Sequence, residues 1–147
     1  MPVERSAGII FFKNTPEGKK YLVLRSSREP GSKRPEYWDF SKGLLEKGED
    51  GISAARREAE EEVEIKNFEL VPDFKETVSY FTRHDGKTIP KFAVMFLAET
   101  QGGEIKLSWE HDKYEWLLYE EAKKRISNNA MKQALEKAHE FLSKKSS

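Results

Sequence analysis

Residues Gly43 to Ile65, GLLEKGEDGISAARREAEEEVEI, decide how this chain reads. Eight of them are acidic (Glu46, Glu49, Asp50, Glu58, Glu60, Glu61, Glu62, Glu64) and three basic (Lys47, Arg56, Arg57). The whole chain balances 26 basic against 26 acidic residues, so negative charge is concentrated here. Gly43 to Gly51, with three glycines in nine positions, reads as a loop. Ile52 to Val63 reads as a helix, because Ile52, Ala55, Ala59 and Val63 recur at intervals of three or four. Asp50 and Ser53 both stand where an N-cap is expected. On that helix Glu58, Glu61 and Glu62 share a face beside the apolar stripe. Carboxylates so close raise one another's pKa unless a cation neutralises them. Hard oxygen donors of this kind suit Mg²⁺ or Mn²⁺. Arg57 is placed to reach Glu61 one turn on and to order the loop through Glu49. Acidic runs usually only face water; the spacing of the whole stretch is what argues for a site.

The rest of the composition bounds the answer. At 147 residues the chain reads as one domain over 1–147, with a frayed tail from Ser143 to Ser147. Charged residues make up 35% and apolar residues 37%, arranged in periodic segments, which fits a globular protein with a charged surface. There is no cysteine, so disulfides and thiolate chemistry are excluded. No apolar run is long enough to span a bilayer, and the first residues do not read as a signal peptide. A cytoplasmic monomer without a membrane partner is the expectation. A net charge of zero argues against stable nucleic-acid binding by counterion release.

Outward from the acidic stretch, Ala7 to Lys13 reads as a buried strand and Tyr21 to Leu24 as a second, with Asn14 to Gly18 turning between them. Arg28 to Pro35 is a basic Pro/Gly loop. Tyr37 to Phe40 leads as a short strand into the acidic stretch. Phe68 to Phe81 is extended and broken at Pro72. His84-Asp85-Gly86-Lys87 signals a hairpin turn before the strong strand Lys91 to Glu99. Tyr114 to Leu118 returns as a strand, and Tyr119 to Ile126 and Ala130 to Leu142 read as helices. Trp38, Trp109 and Trp116 are expected in the core; His84 and His139 carry no assigned role. Strands on both sides of a central helix, followed by two late helices, imply an α/β fold with a mixed sheet.

Gly43, five residues, Glu49, seven residues, Arg57-Glu58, two residues and Glu61-Glu62 match the Nudix box, G-x5-E-x7-R-E-U-x-E-E-x-G-U. Ala59 and Ile65 fit its apolar positions. The last glycine of the box is Glu64 here, which puts the helix end in question without removing a ligand. YWDFSKG, SYF near Tyr80, PKFAVMFLAE, LSWEHDKYEWL and ALEKAHEFL extend the likeness, so that most of Ala7 to Leu142 resembles the asymmetrical diadenosine tetraphosphate hydrolases. Ser41 replaces the proline of the common W-x-F-P-K-G pattern.

The resemblance implies a Nudix-type α/β/α sandwich and hydrolysis of a dinucleoside polyphosphate, diadenosine tetraphosphate giving ATP and AMP by attack of water at phosphorus. It implies Glu58, Glu61 and Glu62 as metal ligands, with Glu62 central, and Glu58 or a carboxylate outside the box as base. Arg57 matches an orienting residue and Glu49 a structural one. Glu110 matches a glutamate that approaches the metals, and His111 beside it reads as a packed or hydrogen-bonding residue. Lys42 and Lys91 match lysines that meet phosphates, and Tyr80 an aromatic that stacks on adenine. The segment joining the late helices, Arg125 to Ala130, has no aromatic, so the adenine clamp is expected to be one-sided. Two alternatives stand beside this reading. One is a Nudix pyrophosphohydrolase of another substrate: an RNA 5′ end, a damaged nucleoside triphosphate or a nucleotide sugar. The other is a module that binds a nucleotide without cleaving it.

Overall fold

A computed structural model describes residues 3–145, with His84 described by its backbone alone. The strands are β1 (Glu4–Thr15), β2 (Gly18–Ser26), β3 (Trp38–Asp39), β4 (Ser41–Leu44), β5 (Phe68–Leu70), β6 (Glu76–His84), β7 (Lys87–Thr100) and β8 (His111–Leu118). The helices are α1 (Gly51–Val63), α2 (Tyr119–Arg125) and α3 (Asn129–Lys145). The strands form one mixed sheet in the order β3-β2-β1-β7-β5, with β4 also on β1, β6 also on β7 and β8 also on β2. Only β1 and β7 pair in parallel; the other ladders are antiparallel.

Each face of the sheet carries its own core. Ala7, Ile9, Phe11, Leu22 and Leu24 pack under Ala55, Ala59 and Val63 of α1. Ile10, Phe12, Tyr21, Val23 and Met95 pack under Met131, Ala134, Leu135 and Ala138 of α3. Neighbouring residues of β1 therefore enter opposite cores, and its middle is buried without interruption. The result is an α/β/α sandwich, as the resemblance implies.

Local chemistry accounts for the boundaries. Asp50 caps α1 by accepting from the Ser53 N–H at 2.9 Å. Glu64 ends the helix in the left-handed conformation at φ 54°, its N–H donating to the Ala59 carbonyl. The helix thus stops where the box glycine would stop it, at the steric cost a Cβ brings to that conformation. Of the predicted stripe, Ala55, Ala59 and Val63 are buried and Ile52 is half-buried, while Ala54 joins them. Asp85 and Gly86 both have positive φ, the requirement of a tight hairpin between β6 and β7.

Most element ends differ from the sequence reading by a few residues, and four differences change how the chain is divided. Gly43 and Leu44 belong to β4, paired with β1, and not to the loop. The break at Pro72 is wide enough to make two strands, β5 and β6, both paired with β7. β8 starts at His111, opposite Ser26. α3 continues through Lys145, where a frayed tail is expected from Ser143: Ser143 Oγ donates to the His139 carbonyl, and Lys144 and Lys145 suit the helix C-terminus. Ser146 and Ser147 lie outside the described residues.

Candidate active site

The acidic stretch becomes a site because α1 leans its C-terminal half against β4. Gly43 makes the close approach possible: a Cβ there would sit 2.0 Å from Cδ of Glu58. Arg57 is the hub of the loop–helix unit. Its guanidinium donates to both Glu49 oxygens at 2.9 Å, to Glu58 at 2.8 Å and to the Leu44 carbonyl at 3.0 Å. It also lies 3.4 Å from Glu61. Arg57 and the Glu46 amide hold the Glu49 carboxyl down to about 2. The two reaches expected of Arg57, to Glu61 and to Glu49, are both made.

Glu62 meets different surroundings. It is 3% exposed. Oε1 accepts from Ser41 Oγ at 3.1 Å, and Oε2 stands 3.5 Å from Nδ1 of His111. Burial pushes its carboxyl up to about 8; the Glu58 charge adds to this, and the Ser41 hydroxyl and Lys42 amide work against it. Burial also raises Glu58, although Arg57 opposes the shift. Glu110 is exposed at the turn into β8, and its charge bears on Glu58, Glu62 and His111. Burial holds His111 below its usual value and so favours the neutral ring.

Across the cleft, β4, β6 and β7 bring Lys42, Tyr80 and Lys91 together. Lys91 is the cross-strand partner of Tyr80. The Lys42 and Lys91 ammonium groups lie 5.7 and 6.0 Å from the Tyr80 ring centroid. Burial would lower Lys42, but the Asp39 carboxylate at 2.9 Å raises it above the ordinary lysine value. Lys91 is lowered, first by burial and then by the Lys42 charge beside it.

Two buried polar atoms among the described residues lack a hydrogen-bond partner: Tyr80 Oη and His111 Nδ1. Both belong to this cleft, one on the lysine side and one on the glutamate side. Buried orphans cost stability unless a ligand or water satisfies them. The donors around His111 are carboxylate oxygens, the chemistry of a hard divalent ion. No three His, Asp or Glu side chains among the described residues already surround one point. Arg57 draws Glu58 and Glu61 toward itself and away from Glu62. The set therefore fits such an ion by charge and donor type, and Glu58 and Glu61 must turn from Arg57 to complete it.

Sequence reasoning missed several participants. Asp39, the Lys42 counter-ion, is legible only once β3 and β4 are adjacent. Ser41 supplies a hydroxyl to Glu62. Tyr37 lies within electrostatic reach of Asp39, Lys42 and Tyr80, and its hydroxyl meets the Asn128 side chain. Asn128 caps α3 through Oδ1, accepting from the Ala130 and Met131 N–H groups. Trp38 is buried and Trp116 packs beneath α1, but Trp109 is 86% exposed, which corrects its expected place in the core. His139 also has a role: Nδ1 meets the Tyr21 hydroxyl at 2.8 Å, and Tyr119 stacks on its ring.

A mixed sheet between helices, with the G-x5-E-x7-R-E spacing folded around one arginine, defines a Nudix fold and its loop–helix unit. The chain belongs to the NUDIX domain family, which matches residues 3–138, and it is a Nudix hydrolase. It is 30% identical to the asymmetrical bis(5′-nucleosyl)-tetraphosphatase of Mus musculus, over 94% of this chain and 95% of that protein. It is 27% identical to the RNA pyrophosphohydrolase of Pelagibacter ubique, over 79% of this chain and 75% of that one. The crystal structure of a Caenorhabditis elegans Ap4A hydrolase binary complex superposes with a TM-score of 0.81 at 30% identity, covering 96% of this chain and 98% of that one. Nudix hydrolases generally use divalent metal ions. No described helix is long and apolar enough to cross a membrane.

Proposed function

We propose that this chain hydrolyses dinucleoside polyphosphates and converts diadenosine tetraphosphate and water to ATP and AMP. The observation that carries this reading is the Lys42–Tyr80–Lys91 group, two ammonium groups flanking one ring, opposite the Glu62 pocket. A base rests on the ring, and the phosphates that follow it meet the lysines. The resemblance to tetraphosphatases across nearly the whole chain supports the same substrate class.

Glu58, Glu61 and Glu62, with Glu110 beside them, are the residues that would hold Mg²⁺ or Mn²⁺. Such an ion supplies the positive charge that neutralises phosphate oxygens and acidifies water. The chain's own residues do the rest. Arg57 fixes the loop and the first turns of α1 through Glu49 and the Leu44 carbonyl. Ser41 fixes the Glu62 carboxyl through its hydroxyl, and the His111 ring stands 3.5 Å from the other oxygen. Near neutral pH the buried Glu62 retains its proton, which it must release when a cation arrives. Glu58, whose carboxyl burial raises, or the Glu110 carboxylate outside the box takes a proton from water attacking phosphorus. Lys42 and Lys91 stabilise charge on the phosphate oxygens as the bond to the leaving nucleotide breaks.

The test is product analysis. Diadenosine tetraphosphate with Mg²⁺ should yield ATP and AMP, and in ¹⁸O-labelled water one product phosphate should carry the label. Two molecules of ADP, or turnover confined to triphosphorylated RNA, would reject this substrate.

A further inference from the structure

The sheet is not covered to the same length on its two faces. On the side of Ala7, Ile9 and Phe11, α1 begins over β7 at Val94, since a Cβ on Gly51 would sit 2.9 Å from Val94 Cγ1. Toward the β6–β7 hairpin that face is bare. Thr77, Ser79, Phe81 and Arg83 of β6 are all exposed, whereas Val78 is buried and Tyr80 half-buried. Side chains alternate along a strand, and the register sets Ser79 opposite Phe92 and Phe81 opposite Pro90. Tyr80 and Lys91 leave the same two strands on the opposite face, so the cleft described above lies on the other side of the sheet.

Two rings stand on the bare face. Phe81 is 72% exposed and Phe92 37%. They are diagonal neighbours across one ladder, with backbones about 7–8 Å apart. Apolar surface gathered in this way marks a place of contact. Arg5, opposite Phe92 on β1, lays its guanidinium 5.6 Å from the Phe92 ring centroid. A hollow of about 430 Å³ opens beside them, lined among others by Arg5, Asp50, Lys75, Thr77, Phe92 and Phe96.

The charges on this face are unbalanced. Arg5, Lys75 and Arg83 are exposed on it. Among the described residues, β1, β6 and β7 present no carboxylate there, and Asp50, at the start of α1, is committed to the Ser53 N–H. The zero net charge of the chain is an average that this face does not share. A second copy docked here about a two-fold axis would set these cations against their own kind, which costs free energy. A polyanion that carries planar apolar groups meets both features at once: its phosphates meet the cations and its bases lie on the rings.

We propose that this face binds a single strand of nucleic acid, with bases stacked on Phe81 and Phe92 and phosphates held by Arg5 and Arg83. A duplex keeps its bases stacked on one another and offers the rings nothing. The surface is separate from the cleft and does not depend on which substrate the cleft takes.

The experiment follows the anisotropy of a short labelled oligouridylate as the full chain is added at low salt. The strand ends in a 5′-hydroxyl, which offers the cleft no terminal polyphosphate. The single strand should bind at least about fivefold more tightly than the same strand annealed to oligoadenylate, the size of one base–aromatic contact. Phe81→Thr should weaken binding by a similar factor, and Phe81→Tyr should keep it. Arg83→Gln should reduce the slope of log affinity against log salt by about 0.7, one phosphate contact on a single strand. Lys91→Gln, on the other face, should change the affinity by less than about twofold. Phe81→Thr and Arg83→Gln variants that bind like the unaltered protein would overturn the proposal. So would a Lys91→Gln variant that loses as much affinity as Phe81→Thr, because the strand would then lie in the cleft. Equal affinity for polyglutamate would overturn it in favour of an acidic peptide, and binding confined to phosphatidylglycerol vesicles would overturn it in favour of a membrane surface. A dimer in sedimentation that Phe81→Thr abolishes would overturn it in favour of a second copy.

Discussion

The two halves of one acidic stretch use the same residue type in opposite ways. Around Arg57, the carboxylates of Glu49, Glu58 and Glu61 share one guanidinium, and Glu49 is held down to about 2. One turn beyond Glu58, Glu62 has a hydroxyl and a neutral imidazole for company, and burial pushes it up to about 8. Helical position alone does not separate Glu58 from Glu62; depth below the surface and access to Arg57 do. The compensated half gives the loop its shape. The uncompensated half favours the protonated carboxyl.

The sharpest way to break this comparison is Glu62→Gln. We expect kcat to fall by at least about a hundredfold, because a neutral amide supplies neither the charge nor the basicity of the carboxylate. The fold should persist, since the amide still accepts from Ser41. Near-wild-type turnover measured under saturating Mg²⁺ would remove Glu62 from the centre of the site.

Next in size is Arg57→Met, which leaves three carboxylates facing one another without their cation. The expected loss is about 5 °C in Tm, together with a fall in kcat/KM of about tenfold or more. An unchanged melting curve would show that the loop holds its shape without the hub.

The pH dependence of stability distinguishes the two halves directly. The folded pKa of Glu62 lies above its ordinary value of 4.5, so between about 4.5 and about 8 the folded protein binds a proton the unfolded chain does not. Stability of the metal-free protein therefore declines as pH rises through that window. Glu49 acts with the opposite sign: its contribution is present above 4.5 and is lost as pH falls toward about 2. Melting curves of the metal-free protein should show Tm dropping from about pH 5 to about pH 8, and Glu62→Gln should flatten that slope. Parallel slopes in both proteins would mean that another group titrates.

The smallest effect concerns the end of the helix. Glu64→Gly should raise stability by up to about 1 kcal/mol, with activity retained. The relief of a left-handed glutamate is partly offset by the greater freedom glycine gives the unfolded chain. A loss of stability, measured by urea unfolding, would mean that the Glu64 side chain does something its exposure does not reveal.

Much of this was written in the sequence, because periodicity and spacing are local. The α1 stripe, the Asp50 cap, the reach of Arg57 and the hairpin at Asp85-Gly86 each depend on residues a few positions apart. What the sequence withheld depends on partners distant along the chain. Ser41 meeting Glu62, Lys42 meeting the Tyr80 ring and the Tyr21–His139 hydrogen bond all require the sheet to be assembled first. Trp109 misled for a related reason: large apolar side chains are usually buried, and only the turn geometry before Glu110 shows this one facing solvent. Asn128 shows a hidden constraint of the same kind. A tyrosine placed there to build a base clamp would also remove the cap of α3, at a cost of about 1 kcal/mol.

The parallel pairing of β1 with β7 has a kinetic consequence. Glu4 lies opposite Lys91, and Phe12 opposite Glu99, so this ladder closes almost the whole intervening chain into one loop. Contacts of such high order form slowly, because the chain loses its freedom before the ladder rewards it. The acidic stretch lies inside that loop, and Lys91 lies on the strand that closes it. A chain emerging from the ribosome can build the β1–β2 hairpin and begin α1 early, but it cannot bring Tyr80 and Lys91 beside Lys42 until β7 has been made. Completion of the proposed polyphosphate site is therefore a late event in the life of each molecule, and an unfinished copy holds the glutamates and Lys42 without Tyr80 and Lys91.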